Sequence, residues 1–157
     1  MVNIDGSFLE NISTRPFTDG LIDIIQEPLI VLDENLRVIT VNDSFYNYFN
    51  LDPSNTVGNL IYELNDHEWN IPNLRKLLET VLNESHMIKD YELNHEFKNM
   101  GNKTLNLNLQ RLDNTDQKPM LLISIKDITE LKNTEEKLVE SKEKLNTLFE
   151  NLLWVFL

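Results

Sequence analysis

Between Thr104 and Gln110 the chain reads TLNLNLQ. Leu105, Leu107 and Leu109 alternate with Asn106, Asn108 and Gln110, so an extended backbone here has one wholly apolar face and one wholly amide face. Period-two alternation is the mark of a strand. An antiparallel sheet is the arrangement that leaves one face wet. The fold is thereby constrained to a one-sided sheet whose leucine face something else must cover. Two flanking segments extend the pattern. In MIKDYELNHEF, Met87, Tyr91, Leu93, His95 and Phe97 share a face opposite mainly charged residues, and in MLLISIKD, Leu121, Ile123 and Ile125 do the same.

Upstream, PLIVLDENLRVITVN holds two short β-rich runs around Asp33-Glu34-Asn35, a hairpin in which Asp and Asn accept local hydrogen bonds and the αL region. Asn42 or Asp43 then caps a short helix carrying Phe45, Tyr48 and Phe49 on one face. NLIYEL makes one or two helical turns. IPNLRKLLETVLNES reads as a longer helix, with Pro72 in its first turn and a stripe of Leu74, Leu77, Leu78, Val81 and Leu82. At the front, Asp19 caps a helix over Gly20–Gln26 that packs Leu21, Ile24 and Ile25 against the body. The order is strands, short helices, three strands, helix. Without βαβ alternation this is α+β, one antiparallel sheet covered on one face by helices. The expected division is a leader over 1–18, a domain over 19–129 and a connector helix over 130–157.

Composition narrows function. At 157 residues the chain holds one core, and a net charge of −12 without clustered Lys or Arg argues against nucleic-acid binding. With no Cys there is no disulfide, thiolate metal site or cysteine nucleophile. No signal peptide or membrane span is read in the sequence, which points to a cytoplasmic chain. No catalytic triad spacing, carboxylate pair or phosphate-binding Gly loop is found.

After Ile123-Ser124-Ile125-Lys126 the period changes. Leu131, Leu138, Leu145 and Leu152 recur every seven residues, with Thr134, Ser141, Leu148 and Val155 three further on. That is a two-stranded coiled-coil seam, weak in its first half and apolar in its second. The competing reading is an amphipathic helix folded back on the domain's own sheet. The apolar ending LFENLLWVFL suggests a chain that continues into a further unit. At the junction, Asp127 is placed to accept the amide of Glu130, or Thr129 to act as the cap.

These residues resemble the PAS sensor family over roughly Leu21 to Thr129. EPLIVLDENLRVITVNDSFYNYF is similar to its opening hairpin and helix, with Asn42 and Phe45 at the N-x-x-F positions. TVGNLIYEL resembles its V-G-x-x-x-x-E-L segment, EWNIPNLRKLLETVL a W-D-I-P helix of one subgroup, and DITELK the closing D-I-T-E-x-K signature. The resemblance implies a five-stranded sheet whose helical side encloses a small cavity, used in sensing, dimerisation and signal relay.

It also implies that Asp127 pairs with a basic side chain on the sheet, with Arg111 the expected partner, and couples the core to the outgoing helix. Pocket lining is assigned to Phe45, Phe49, Trp69, Tyr91 and His95, which are equally read as plain core. Relatives that bind flavin use inward amides where this chain has Leu and Ile, and the photoadduct Cys is missing, so flavin is not expected. Haem needs an axial ligand. His67, His86 and His95 read better as ordinary histidines, and the cofactor stays unassigned.

The expectation is a non-catalytic sensor and homodimerisation module, joined through Leu131, Leu138, Leu145, Leu148 and Leu152. It would take a small apolar ligand or a partner's state as input and report to an effector, such as a histidine kinase. The alternatives are a ligand-free structural dimeriser and a small cone-fold enzyme.

Overall fold

The computed structural model describes residues 26–84 and 87–156. The leader, residues 20–25 of the helix expected over Gly20–Gln26, and His86 lie outside the described residues, and Gln26 itself is not helical. Strands β1 (Leu29–Leu32), β2 (Val38–Val41), β3 (Met87–Phe97), β4 (Gly101–Asn114) and β5 (Gln117–Asp127) form one antiparallel sheet in the order β2-β1-β5-β4-β3. Helix α1 (Asp43–Phe49), the single turn α2 (Leu64–His67) and helix α3 (Pro72–Glu84) fall between β2 and β3. Helix α4 (Thr129–Phe156) closes the chain.

The leucine face predicted from TLNLNLQ is the core face. Leu105, Leu107, Leu109, Leu121, Ile123 and Ile125 are each at most 2% exposed and pack with Leu74, Leu78 and Val81 of α3 and Phe45 and Phe49 of α1. Asn106 and Asn108 take the outer face, where Asn108 Oδ1 accepts the Asp90 amide at 3.0 Å and Asn106 Nδ2 donates to Asp90 Oδ1 at 3.2 Å.

That Asp90 contact marks a departure from simple alternation. Ile88 pairs with Leu109 and Tyr91 with Leu107, so two β3 residues oppose one of β4, and Asp90 sits at φ 57°. A bulge of this kind flips the facing of everything before it. Met87, expected on the apolar face, is 55% exposed, and Ile88 packs on the core instead. In the β1–β2 turn, Asp33 Oδ1 accepts from Asn35 N at 2.8 Å and Arg37 N at 2.9 Å, and Leu36, not the Asp or Asn, adopts the left-handed φ of 64°.

Asn42 does more than cap α1. Wholly buried, its Oδ1 accepts the Phe45 amide at 3.0 Å and the Leu29 amide at 2.9 Å, while its Nδ2 donates to the Glu27 carbonyl at 2.8 Å. One side chain thus ties the start of α1 to the start of β1. Asn42→Ala leaves these backbone groups buried without their partner, at about 1–3 kcal/mol for each unsatisfied group. The expected loss is about 2–4 kcal/mol in chemical denaturation. A loss under about 0.5 kcal/mol would show the tie to be dispensable.

Candidate functional site: the root of the terminal helix

Asp127 ends β5, and Thr129 begins α4. Its Oδ1 accepts from the Thr129 amide at 2.9 Å and the Thr129 hydroxyl at 2.6 Å. The amide it holds is therefore two residues on, an Asx turn, rather than that of Glu130. Thr129 Oγ1 in turn accepts the Thr104 amide of β4 at 2.9 Å, and the Ile128 amide donates to the Thr104 carbonyl at 2.9 Å. The other carboxylate oxygen, Oδ2, accepts from the Tyr48 hydroxyl of α1 at 2.5 Å and lies 3.7 Å from Lys103 Nζ of β4. A second strut, Lys132 Nζ to Glu92 Oε1 at 2.7 Å, joins α4 to β3.

The cation beside Asp127 is Lys103, which corrects the expectation of Arg111. Leu105 pairs with Asp127, and Arg111 pairs with Leu121 six residues further along β4. At about 3.3 Å per residue that is about 20 Å away. Arg111 instead binds Asp113 Oδ1 at 2.8 Å and the Leu82 carbonyl.

Partial burial alone would push the Asp127 carboxyl up. The Thr129 and Tyr48 hydrogen bonds, with the charge of Lys103, outweigh it and hold the group below 3.8. The Tyr48 phenol moves above its usual 10.0, first through burial and then through its bond to Asp127. A depressed carboxyl stabilises the fold above its unfolded value, and that contribution is lost as pH falls through the folded value. A raised phenol contributes fully below pH 10, and that contribution is lost as pH rises from there through the folded value, well above 10. Protection of Thr129 and of the first turn of α4, taken relative to an unstructured peptide at the same pH, should therefore fall below about pH 3.8 and again well above pH 10. Flat behaviour across both windows would remove Asp127 from the root's support.

From this root the site reaches the interior through α1. The Tyr48 ring meets Phe49 edge-on at 4.8 Å, and Phe49 meets Trp69 at 4.8 Å and Phe97 at 6.0 Å. Phe45 lies 4.8 Å from Phe49 and 6.1 Å from Trp69. Of the residues assigned to pocket lining, Phe45, Phe49 and Trp69 are thus brought together with Phe97 as a packed aromatic cluster. Tyr91 and His95 are half-buried on β3, with His95 edge-on to Phe97 at 4.8 Å. His67 is exposed. Trp69 Nε1 and Tyr62 Oη are buried with no hydrogen-bond partner among the described residues.

Trp69 is positioned by a strained turn. Asn65, Asp66 and His67 all take left-handed φ, of 52°, 58° and 63°. Buried Glu68 holds the turn by accepting from the Asn65 side chain and from the Lys98 amide, and Lys98 Nζ bonds Asp66 at 3.1 Å. The sequence reading placed Tyr48 only on an apolar helix face and passed over Glu68, because the partner of the Tyr48 hydroxyl lies on β5 and the Lys98 amide that Glu68 holds lies at the β3–β4 turn.

Helix α4 spans about 42 Å. Leu131, Leu138, Leu145, Leu148 and Leu152 are 52–68% exposed, so in the single chain the seam stands in solvent and is not folded back on the sheet. No helix among the described residues is long and apolar enough to cross a membrane.

The chain shares this architecture with solved structures. No curated protein matches it. The PAS domain of Bordetella pertussis BvgS superposes with a TM-score of 0.56 at 20% identity, covering 83% of this chain and 98% of that one. A PAS domain of an HTR-like protein from Haloarcula marismortui gives 0.54 at 21%, covering 73% and 97%. A PAS domain from a two-component sensor histidine kinase gives 0.54 at 10%, covering 73% and 96%. The sequence profile of the PAS fold matches residues 17–128, most of the chain, and the chain belongs to that family.

Proposed function

We propose that this chain is a non-catalytic, cytoplasmic sensor and dimerisation module of a signalling protein, which passes the state of its core through α4 to an effector such as a histidine kinase. The observation that carries this reading is the convergence on Asp127 of α1 through Tyr48, β4 through Lys103 and α4 through Thr129. A change that repacks Phe49 shifts Tyr48, its neighbour in sequence and in ring contact. The shift alters the hold on Asp127, and so the angle or register at which α4 leaves the sheet. A two-state helix biased in this way transmits a signal without chemistry at the site.

The input is a small, mainly apolar ligand or a partner's contact on the core. Trp69 Nε1 favours a ligand with one acceptor, because a buried donor left unpaired costs about 1–3 kcal/mol. The ring-to-ring packing of Phe45, Phe49, Trp69 and Phe97 favours the second reading, a filled structural dimeriser. Native mass spectrometry of the purified chain separates them: a stoichiometric small passenger supports sensing, and an apo mass supports the dimeriser.

Tyr48→Phe keeps the ring and removes the hydroxyl. It is expected to cost about 1 kcal/mol of stability while loosening α4 amides near Lys132. Unchanged exchange at the root would break the proposed link from α1.

A further inference from the structure

Tyr62 Oη and Trp69 Nε1, the buried side-chain atoms without a hydrogen-bond partner among the described residues, flank the longest left-handed run of the fold. Elsewhere in the described chain, non-glycine residues with left-handed φ stand alone, at Leu36, Asn50 and Asp90. At Asn65, Asp66 and His67 three follow in a row. For an L-residue other than glycine that conformation is disfavoured roughly 5- to 30-fold, and it is ordinarily visited singly. Asn and Asp bear it best, so His67 is the least suited of the three.

The ends of this stretch are fixed. Leu64 before it and Leu74 of α3 after it are buried, and Asn70 is tied to α3 by Arg75 Nε at 2.6 Å. Within it the backbone bonds are local, from the Glu68 amide to the Asn65 carbonyl at 3.3 Å and from the Asn70 amide to the His67 carbonyl at 3.0 Å. The polar contacts described from the run to the sheet are both at Lys98, in the β3–β4 turn: its amide donates to Glu68 Oε1, and its Nζ meets Asp66. The second contact is exposed on both sides and holds little. The polar grip on the run is therefore one buried carboxylate, and no cation pairs with it among the described residues.

We propose that residues 65–69 are a latch: when the Lys98 amide leaves the Glu68 carboxylate, the run relaxes out of its left-handed conformation and draws Trp69 from the aromatic cluster. Three terms favour the open form. The backbone strain is released, the Glu68 carboxylate regains water, and the unpartnered Trp69 N–H finds an acceptor in solvent. The ring contacts of Trp69 with Phe45, Phe49 and Phe97 oppose them and keep the closed form dominant. The open form is then a minor state, and anything that displaces the β3–β4 turn populates it. The use of the latch, to open a closed core to its input, rests on the sensor reading above, whereas the motion itself is measured without a ligand and stands or falls separately.

Native-state hydrogen exchange on the full chain tests it. The amides of Glu68, Asn70 and Lys98 should exchange at least ~100-fold faster than that of buried Leu107 in β4, at rates that low urea leaves unchanged. Glu68→Ala should speed these three at least ~10-fold further, with Leu107 moving less, and Glu68→Gln, which keeps an oxygen for the Lys98 amide, should restore most of the protection. In a Trp154→Phe background, where Trp69 is the single indole, Glu68→Ala should also make its fluorescence at least ~3-fold more quenchable by acrylamide. His67→Gly relieves one strained residue and should slow the three amides about 5-fold, again ahead of Leu107. Because it stabilises the closed form, it keeps the test decisive even if Glu68→Ala misfolds. Exchange of the three at the Leu107 rate, variants that shift all four amides equally, or a Trp69 that stays unquenched in Glu68→Ala would overturn the latch.

Discussion

Trp69→Ala should lower the unfolding free energy by about 3–5 kcal/mol, a large share of the roughly 5–15 kcal/mol that holds a domain together. The indole is 2% exposed and in ring contact with Phe45, Phe49 and Phe97, one from β3 and two from α1. Removing it forfeits the transfer energy of a large apolar side chain and leaves a void that neighbours on two elements cannot close together. One offset exists. The indole N–H is buried without an acceptor among the described residues, so deleting it also removes an unfavourable term of about 1–3 kcal/mol. Trp69→Phe separates the two contributions: it keeps a ring, loses the donor, and should cost less than about 1.5 kcal/mol. Urea titrations with unchanged slope would measure both. If Trp69→Ala cost less than about 1 kcal/mol, the aromatic cluster would not be the organising part of the core.

The second large effect belongs to α4. Leu145→Glu combined with Leu152→Glu places four carboxylates in the seam of a two-stranded coil. Each buried leucine contributes about 1.5–3 kcal/mol, so at least a 100-fold weakening of dimerisation is expected. Because both leucines are more than half exposed in the single chain, the stability of the domain itself should change by no more than about 0.5 kcal/mol. Sedimentation read together with thermal melting tests both halves of that statement. A dimer that survives the double substitution would move the interface away from α4.

How much of this could be read from sequence follows the range of the interactions. The strands of β4 and β5 were legible because alternation is local, and α3 because Pro72 and its leucine stripe declare a helix within 13 residues. Facing failed at Met87, where two residues, Lys89 and Asp90, are fitted opposite one. A bulge leaves no mark on composition, although an Asp able to take a positive φ is a weak hint. The importance of Asp127 was visible in DITELK, but its partners were not. Tyr48 is 79 residues away, and its hydroxyl sits on a helix read only for its apolar face. Lys103 was within reach: running the hairpin register back from the Thr115-Asp116 turn puts Thr104 opposite Asp127, and the irregularity between Leu112 and Asn114 moves the partner by one to Leu105, so either count leaves Lys103 within two residues and Arg111 at least six away. The expectation of Arg111 skipped that count. The left-handed turn at Asn65–His67 and its buried Glu68 depend on Lys98 some thirty residues on, beyond any pattern rule.

The central claim, that Asp127 sets how α4 leaves the sheet, is tested most directly by the distance between two helices in solution. A single spin label at Glu150→Cys in this cysteine-free chain reports the separation across the proposed dimer. The account predicts a narrow distribution for the otherwise native protein, and a broadened or displaced one when Asp127→Ala is added. An identical distribution with and without the carboxylate would contradict it.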